Sequence, residues 1–417
     1  MDWNDLPVFL TLGSIGLLLY TYAGYPAIFW VLSRFSRPKE HQSTTPTQWP
    51  TVSVLLSAYN EENIIAERIK NLLDLDYPRE RLEVLVGSDG STDRTCEILK
   101  RFQNQRIRLV AFKERRGKAS VMNDLVARAR GEIVVLTDAN TFFHAEAVRE
   151  LIKALWRYPS ACAVVGRLDL RSSMEAENLD GIYWQYETWI KTLESRFGIV
   201  LGANGAIYAF RRDRYQPLPK EAIVDDFLIP MLMRLRSGGQ VFFIPEARAW
   251  ETSPDRVRDE FHRRVRIGSG DLQALLWTWR LLLPWKGLVS VAYVSHKVLR
   301  WFGPWLMLVG FVANLWLLDV PFFQILFVGQ LALYGAGVGA ALVHYLPLLG
   351  KAATAVWYFL VLNAALLLGF VRFTLGLSRP FWSTAPRETR PPDASKQAVM
   401  QPSGSEKSRH WRWSRSG

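Results

Sequence analysis

Two side chains that could bind a metal ion follow an apolar run in the middle of the chain. The segment "EIVVLTDAN" (132–140) reaches Asp138 and then, two residues later, Asn140. A carboxylate at position 140 would complete a D-x-D pair, which clamps a divalent cation through hard oxygen ligands. Asn140 can still offer an amide oxygen, but it adds no negative charge. The pattern therefore indicates a metal site with less protein charge than a D-x-D pair provides.

A second segment, "RRGKAS" (115–120), carries residue types that bind phosphate groups. It is similar to the end of the motif G-x-x-x-x-G-K-[ST], but Phe112 occupies the position of the first glycine and Ala119 replaces the hydroxyl residue. A P-loop is therefore excluded. A basic, glycine-containing loop that runs into a helix can still hold a diphosphate by charge and backbone amides. We predict that Lys118 contacts such a group.

Alternating strands and helices must position these side chains. Apolar runs rich in strand formers alternate with segments of helical spacing such as "NIIAERIKNLL" (63–73). The alternation predicts an α/β fold with right-handed crossovers and a mostly parallel sheet covered on both faces. Ligands bind at the carboxyl ends of the strands in such folds. The predicted strands are 52–59, 82–89, 107–112 and 132–138, and the polar residues at their ends include Tyr59, Glu61, Asp89 and Asp138.

Asp89 lies in the turn "GSDGSTD" (87–93), which has a structural as well as a functional interpretation. Gly90 relaxes the turn, and Ser91 or Thr92 is placed to cap the next helix. Asp-Gly-Ser turns are common at helix starts for these reasons. The turn motif is therefore not sufficient by itself to indicate a binding residue. It does so in combination with the polar residues at the ends of the other strands.

Long uncharged runs predict membrane-spanning helices at both ends of the chain. Residues 6–33 carry no charge, which exceeds the roughly 20 residues that cross a bilayer as a helix. A cleaved signal peptide is the alternative, but Asp2 and Asp5 precede the run and the run is too long. Further uncharged runs lie at 301–319, where Asp319 ends the run, at 320–350 and at 352–371, so we assign C-terminal spans to 301–377.

Charge and cysteine content indicate the side of the membrane. Arg34, Arg37 and Lys39 follow the first span, and basic residues stay on the cytoplasmic side. The two cysteines, Cys96 and Cys162, fit a reducing compartment. We therefore predict a multi-pass protein of the inner (plasma) membrane whose large domain, residues 50–270, is cytosolic.

The net charge of +12 raises the question of a nucleic-acid partner. No recognition helix, zinc finger or single-strand-binding signature accompanies the charge, and many basic residues flank the membrane runs. Anionic lipid head groups attract such residues. We therefore predict membrane lipid as a partner and no nucleic acid.

The C-terminal part of the chain leaves its topology open. Residues 271–300 mix Trp, Leu and basic residues, which is typical of amphipathic interface helices. The tail 378–417 has eight Lys or Arg against three Asp or Glu, a net of +5, and its Pro and Ser content predicts disorder. Basic tails favour the cytosol, whereas three late spans would place this one outside. Either one run is re-entrant or interfacial, or 281–299 crosses; we expect a cytosolic tail.

Several motifs along residues 50–270 resemble the nucleotide-sugar-binding half of the inverting glycosyltransferase family 2. They are "VSVLLSAYNEENII", "VLVGSDGSTDRT", "RRGKASVMN", "VVLTDANT", "GANGAIYAFRRD" and "VDDF". The flanking spans are similar to those of the membrane-integral members that make polysaccharides or glycolipids. The resemblance implies a GT-A fold, a nucleotide-sugar donor, most simply a UDP-sugar, and a glycan or lipid acceptor. It also implies a divalent cation, Mg²⁺ or Mn²⁺.

The resemblance also implies roles for individual residues. Asp89 matches the aspartate that contacts uracil and ribose, and Asp138 with Asn140 matches the metal-binding D-x-D pair. Asp226, preceded by Asp225, matches the catalytic base, which removes the acceptor proton while the diphosphate leaves from the opposite face. Further implied donor contacts are Tyr59, Glu61, Lys118, Arg263 and Arg266, and the implied acceptor contacts are Gly202, Asn204 and Gly205.

The segment "RRVRIGSG" (263–270) departs from the family pattern. Arg263 and Ile267 stand where many processive members have the Gln and Trp of Q-x-x-R-W, which weakens a prediction of processive synthesis. Arg263, Arg264 and Arg266 could instead compensate for the missing charge at Asn140. The alternative function is a non-catalytic nucleotide-sugar sensor or an assembly subunit of a polysaccharide export system. The oligomeric state is not indicated.

Overall fold

An eight-stranded mixed sheet forms the centre of the chain. The computed structural model describes residues 5–36, 46–104, 106–171, 177–252, 257–343 and 350–378. The strands are β1 (Val52–Ala58), β2 (Leu82–Asp89), β3 (Ile107–Phe112), β4 (Ile133–Asp138), β5 (Phe142–Phe143), β6 (Ala161–Arg171), β7 (Tyr208–Arg211) and β8 (Gln240–Thr252). Their spatial order is β3-β2-β1-β4-β7-β6-β8-β5.

Helices flank the sheet and continue beyond it at both ends of the chain. In chain order the α-helices are α1 (Leu6–Leu19), α2 (Tyr25–Ser33), α3 (Ile65–Leu73), α4 (Thr95–Phe102), α5 (Lys118–Arg128), α6 (Ala147–Arg157), α7 (Glu177–Ser195), α8 (Asp225–Ser237), α9 (Val257–Thr278), α10 (Leu288–Ala292), α11 (Leu299–Trp301), α12 (Gly303–Asn314), α13 (Pro321–Val343) and α14 (Gly350–Thr374). Short π-helical segments, Tyr20–Gly24 and Tyr293–Val298, join α1 to α2 and α10 to α11.

The parallel half of the sheet confirms the predicted α/β fold. β1 pairs in parallel with both β2 and β4, and β2 pairs in parallel with β3. All seven residues of β1 are buried, because helices cover both faces of a parallel sheet. The register places Ser57 opposite Asp138 and Ala58 opposite Ser88. The carboxyl ends of β1, β2 and β4 therefore lie side by side.

The other half of the sheet contains antiparallel pairs. β7 runs antiparallel to β4 and β6, β6 runs parallel to β8, and the two residues of β5 run antiparallel to β8. Trp250 of β8 is opposite Phe142 of β5, and their rings stack with centroids 4.6 Å apart. The end of β8 is thereby held beside the loop that follows β4.

Helices outside the sheet domain are candidates for membrane spans. Among the described residues, Leu6–Ser33 and Val356–Thr374 are long and apolar enough to span a bilayer. The helical segments Leu288–Trp301 and Gly303–Leu317 would make a third span together, although they meet at a 62° bend. Pro321–Ala336 is a shorter apolar helix. The tail 379–417 and the basic residues Arg37 and Lys39 lie outside the described residues.

The segment predicted as interface helices, 271–300, is divided differently in the structure. α9 continues through residue 270 to Thr278, so the expected domain boundary falls within a helix. Short helical segments follow, and they expose Trp279 and Trp285, the latter at 75%.

A buried set of polar side chains joins the sheet domain to the membrane helices. Glu194 of α7 accepts a hydrogen bond from Tyr25 of α2 at 2.8 Å and lies 2.6 Å from His296 Nδ1. Glu187, also on α7, pairs with Arg300 and lies 3.4 Å from His296 Nε2. We call these five residues the junction cluster. It fixes α7 to the first span and to the π-helical segment.

Candidate active site

Lys118 lies between two carboxylates at the carboxyl end of the parallel strands. Its Nζ is 2.8 Å from Asp138 Oδ1 and 3.0 Å from Asp225 Oδ2. Lys118 is the first residue of α5, and Asp225 is the first residue of α8. Although burial opposes it, the charges of Asp138 and Asp225 raise the pKa of Lys118 above its usual value. Lys118, which we predict to contact a diphosphate, is therefore positively charged in this site.

Asp138 and Asp226 face the same space above Gly205. A Cβ added to Gly205 would lie 3.1 Å from Asp138 Oδ2 and 3.4 Å from Asp226 Oδ2. Gly205 has φ of +75°, a conformation that glycine adopts without strain. Burial and the charge of Asp225 raise the pKa of Asp226 to about 6, while Lys118 opposes the rise. A carboxyl group with this pKa can exchange a proton near neutral pH.

Asp89 is fully buried and holds the loop before Lys118. Its Oδ1 accepts a hydrogen bond from Arg116 N at 2.6 Å, and its Oδ2 accepts one from Gly117 N at 3.0 Å. The carboxylate therefore fixes the chain immediately before α5. Contact of Asp89 with a nucleotide stays a prediction.

Asn140 lies at the edge of this site, beside a carboxylate from a distant strand. Its Nδ2 donates a hydrogen bond to Glu251 Oε2 at 3.2 Å. Glu251 belongs to β8 and is 7% exposed. No motif in the sequence predicted Glu251 as part of the site.

The oxygen atoms around Asp138 fit a divalent cation that also binds a substrate diphosphate. Lys118 engages Oδ1 of Asp138, whereas Oδ2 faces the space left by Gly205. Asn140 adds an amide group two residues later. Among the described residues, no group of three or more His, Cys, Asp or Glu side chains could hold a metal ion. The protein would therefore supply few ligands, as Mg²⁺ and similar ions accept when phosphates and waters complete the shell.

Arg266 of α9 lies near the start of α8. Its Nη1 donates to the carbonyl of Ile223 at 3.0 Å, which holds the guanidinium near the start of α8. Burial lowers the pKa of Arg266 below its usual value, although the charge of Asp225 acts in the opposite direction. The arginine therefore lies within electrostatic range of the site. Donor contacts by Arg266 and Arg263 stay predictions.

The segment before β7 approaches α8 closely. A Cβ on Gly202 would lie 2.8 Å from the Phe227 ring, and Ala203 N donates to the carbonyl of Asp226 at 2.9 Å. The side chain of Asn204 is engaged with backbone, since its Nδ2 donates to Gly166 O at 3.1 Å. This turn brings Gly205 under the two aspartates, and its predicted acceptor contacts remain untested.

The predicted residues after β1 lie beside the loop that contains Lys118. The guanidinium of Arg115 is 3.7 Å from the centre of the Tyr59 ring. Glu61 N donates to Thr95 Oγ1 at 2.8 Å, which joins the end of β1 to the start of α4. Contact of Tyr59 and Glu61 with a donor stays a prediction.

The prediction that Ser91 or Thr92 caps α4 is wrong. Thr95 N, at the start of the helix, donates to Asp93 Oδ1 at 3.0 Å, so Asp93 provides the side-chain oxygen. Ser91 and Thr92 instead contact Asn60, whose φ of +53° marks the turn after β1. The polar residues of this turn therefore hold the end of β1 beside the end of β2.

Arg68 supports the site from a position that was not predicted from the sequence. It is fully buried, and its Nη2 donates to Thr137 Oγ1 at 2.8 Å, next to Asp138. Its Nη1 donates to Asn71, which in turn bonds both backbone groups of Phe143. Burial lowers the pKa of Arg68 to about 9. A signal was present, because Arg68 interrupts the apolar face formed by Ile65, Ile69 and Leu72.

Comparisons with known proteins agree with this architecture. The solved mannosyltransferase PcManGT from Pyrobaculum calidifontis, in complex with GDP-Man and Mn²⁺, superimposes with a TM-score of 0.67 over 88% of this chain and 99% of its own. The two sequences are 23% identical, so this likeness establishes the GT-A fold. The fold predicted from the sequence motifs is thereby confirmed.

Sequence relatives carry related names. The chain is 28% identical to the probable glycosyltransferase YdaM of Bacillus subtilis over 243 residues, which are 54% of this chain and 56% of YdaM. It is 26% identical to the poly-beta-1,6-N-acetyl-D-glucosamine synthase of Staphylococcus epidermidis over 279 residues, 64% of this chain and 66% of the synthase. The match therefore spans less than two thirds of each relative.

The sequence profile of the family "Glycosyl transferase family 2" matches residues 53–215. This range begins in β1 and contains Asp89, Lys118, Asp138 and Gly205. It ends ten residues before Asp225, the first residue of α8. The chain therefore contains a region of 163 residues, out of 417, that matches glycosyl transferase family 2.

Proposed function

We propose that this protein is a membrane-bound transferase that moves a sugar from a nucleotide donor to a polysaccharide or lipid acceptor with inversion. The supporting observation is the convergence of Asp138, Asp226 and Lys118 at the ends of the parallel strands. A carboxylate with a raised pKa, a cation and metal-ligating oxygens are the groups that such a displacement needs. The relatives named as glycosyltransferase and polysaccharide synthase support the same activity.

In the proposed reaction the acceptor hydroxyl oxygen attacks the anomeric carbon of the donor. The bond between that carbon and the diphosphate oxygen breaks, and the nucleoside diphosphate leaves. The hydroxyl proton passes to the carboxylate of Asp226. Because residue 205 is a glycine, no Cβ occupies the position 3.4 Å from Oδ2 of Asp226.

Lys118 would stabilise the leaving diphosphate. Its ammonium group is held by Asp138 and Asp225, so its position is fixed before the donor arrives. Preorganised charge of this kind stabilises negative charge that develops in a transition state. A divalent cation held by Asp138 and Asn140 would supply further positive charge to the diphosphate.

The membrane attachment supports an acceptor that is made or used at the bilayer. Phe227, which follows Asp226, packs against Tyr293 and Trp301 with ring centroids 5.7 and 5.6 Å apart. The helical segment beside the proposed base is therefore Leu288–Trp301, the first of the two segments that meet at the 62° bend. We infer that the acceptor reaches Asp226 from the cytosolic surface of the inner membrane.

The test is a transfer assay with the purified full chain in lipid, supplied with UDP-sugars and with GDP-mannose. We expect nucleotide release with at least one donor, and Asp226→Asn is expected to reduce it about 10²–10⁴-fold, the range for loss of a general base. Asp213→Asn changes an exposed carboxylate and serves as the control. Equal rates for Asp226→Asn and the native chain would show that Asp226 is not the base.

The sensor or assembly function is the second candidate, and Asn140 is the observation that favours it. Donor binding without release by the native chain, across all donors, would support this function over transfer. The anomeric configuration of any product, measured by NMR, tests inversion independently.

A further inference from the structure

A carboxylate far away in the sequence contacts the residue that replaces the second aspartate of the D-x-D pair. Asn140 Nδ2 donates to Glu251 Oε2 at 3.2 Å, although the two residues are 111 positions apart. Glu251 is opposite Leu170 of β6, and the adjacent Trp250 stacks on Phe142. Pairing on both sides of β8 therefore holds Glu251, 7% exposed, against Asn140.

We propose that Glu251 is a positioning residue that makes Asn140 a competent ligand for the divalent cation. The oxygen and nitrogen of an amide lie on different sides, so a bond that fixes Nδ2 toward Glu251 turns Oδ1 away from it. Outer carboxylates orient metal ligands in this way and raise their basicity. The inference rests on the proposed function, because it concerns the metal at the same site.

The charge of the pair explains why asparagine is suited to position 140. An aspartate there would place two carboxylates within hydrogen-bonding distance, and such groups repel or share a proton. Asparagine removes the repulsion and donates a hydrogen bond instead.

The experiment measures Mn²⁺ binding to the purified full chain by electron paramagnetic resonance, without donor or acceptor. Glu251→Gln keeps the size of the side chain and removes its charge. We expect it to weaken Mn²⁺ binding about 10–100-fold, the usual effect of losing an outer carboxylate. Glu246→Gln, at an exposed position of the same strand, is the matched control and is expected to bind as the native chain does.

A compensating variant separates this role from a general effect on the fold. Asn140→Asp combined with Glu251→Gln restores a D-x-D pair, and we expect its Mn²⁺ affinity to return to the native range. Thermal melting of each variant without metal checks folding. The inference is overturned if Glu251→Gln binds Mn²⁺ normally, if the double variant does not recover, or if the native chain binds no Mn²⁺.

The outcome is independent of sugar transfer. A native chain that binds Mn²⁺ through Glu251 but transfers no sugar would refute the proposed function alone. A native chain that transfers sugar but has Mn²⁺ binding insensitive to Glu251→Gln would refute this inference alone.

Discussion

Asp226 is the residue whose surroundings set the pH dependence of the proposed reaction. Burial and the charge of Asp225 raise its pKa to about 6. A base acts in its deprotonated form, so kcat/KM is expected to fall about tenfold for each unit of pH below this value. The measurement is the pH profile of kcat/KM for the native chain. An acid limb near pH 4 would contradict the assignment.

Substitution of Asp225 is expected to shift the acid side of the pH profile of kcat/KM. Asp225→Asn removes the neighbouring charge that raises the pKa of Asp226 and leaves Lys118, which lowers it, in place. The acid limb is therefore expected to shift to lower pH, so that relative activity at pH 5 increases. Asp213→Asn, at an exposed carboxylate, should leave the limb unchanged. A shift to higher pH would exclude this coupling.

The junction cluster acts at the scale of elements, because it connects α7 to the helices near the membrane. Although burial opposes it, the charge of Arg300 and the hydrogen bond from His296 hold the pKa of Glu187 well below its usual range. The glutamate is therefore ionised in the folded protein and depends on its partners. Removal of one partner from a buried pair leaves an uncompensated charge.

Arg300→Met is expected to destabilise the protein by about 3–5 kcal/mol, the usual effect of breaking a buried ion pair. Adding Glu187→Gln should recover part of the loss, since the unpaired charge is removed. The measurement is thermal unfolding of the detergent-solubilised variants. Arg280→Met, at an exposed arginine, is the control. Strictly additive effects of the two substitutions would mean that Glu187 and Arg300 do not stabilise each other.

At the scale of the whole molecule, the packing of α12 against α1 indicates a topology. A Cβ on Gly303 would lie near Tyr22 and Leu18, whereas one on Gly310 would lie 3.0 Å from Ser14 Cβ. The two helices are therefore antiparallel, and the end of α12 lies level with the start of α1. The bent pair would then cross to the side opposite the sheet domain.

This topology predicts opposite accessibility for two exposed positions. In a chain with Cys96 and Cys162 replaced by serine and alanine, Asp319→Cys should react with a membrane-impermeant thiol reagent in intact cells. Phe35→Cys, at a side chain 83% exposed, should react only after permeabilisation. Protection of both positions in intact cells would mean that the bent pair returns to the cytosolic side.

Local sequence patterns predicted much of the fold and part of the site. β1 to β4 were predictable because each is a short apolar run between turn residues, and their register brings Asp89 and Asp138 to one edge. β6 and β8 were not predicted, since their pairing depends on contacts between distant segments. Glu251 was missed for the same reason. Arg68 was detectable, because a charge on an apolar helix face requires a buried partner.

The junction cluster has a consequence for biogenesis. Glu187 and Glu194 leave the ribosome about a hundred residues before His296 and Arg300, and domains generally fold as they emerge. Glu194 can already meet Tyr25 of the first span, whereas Glu187 lacks Arg300, its buried counter-ion, until the later helix is inserted. We therefore expect the burial of Glu187 between α7 and the later helices to be completed only after residue 300 has been synthesised and inserted.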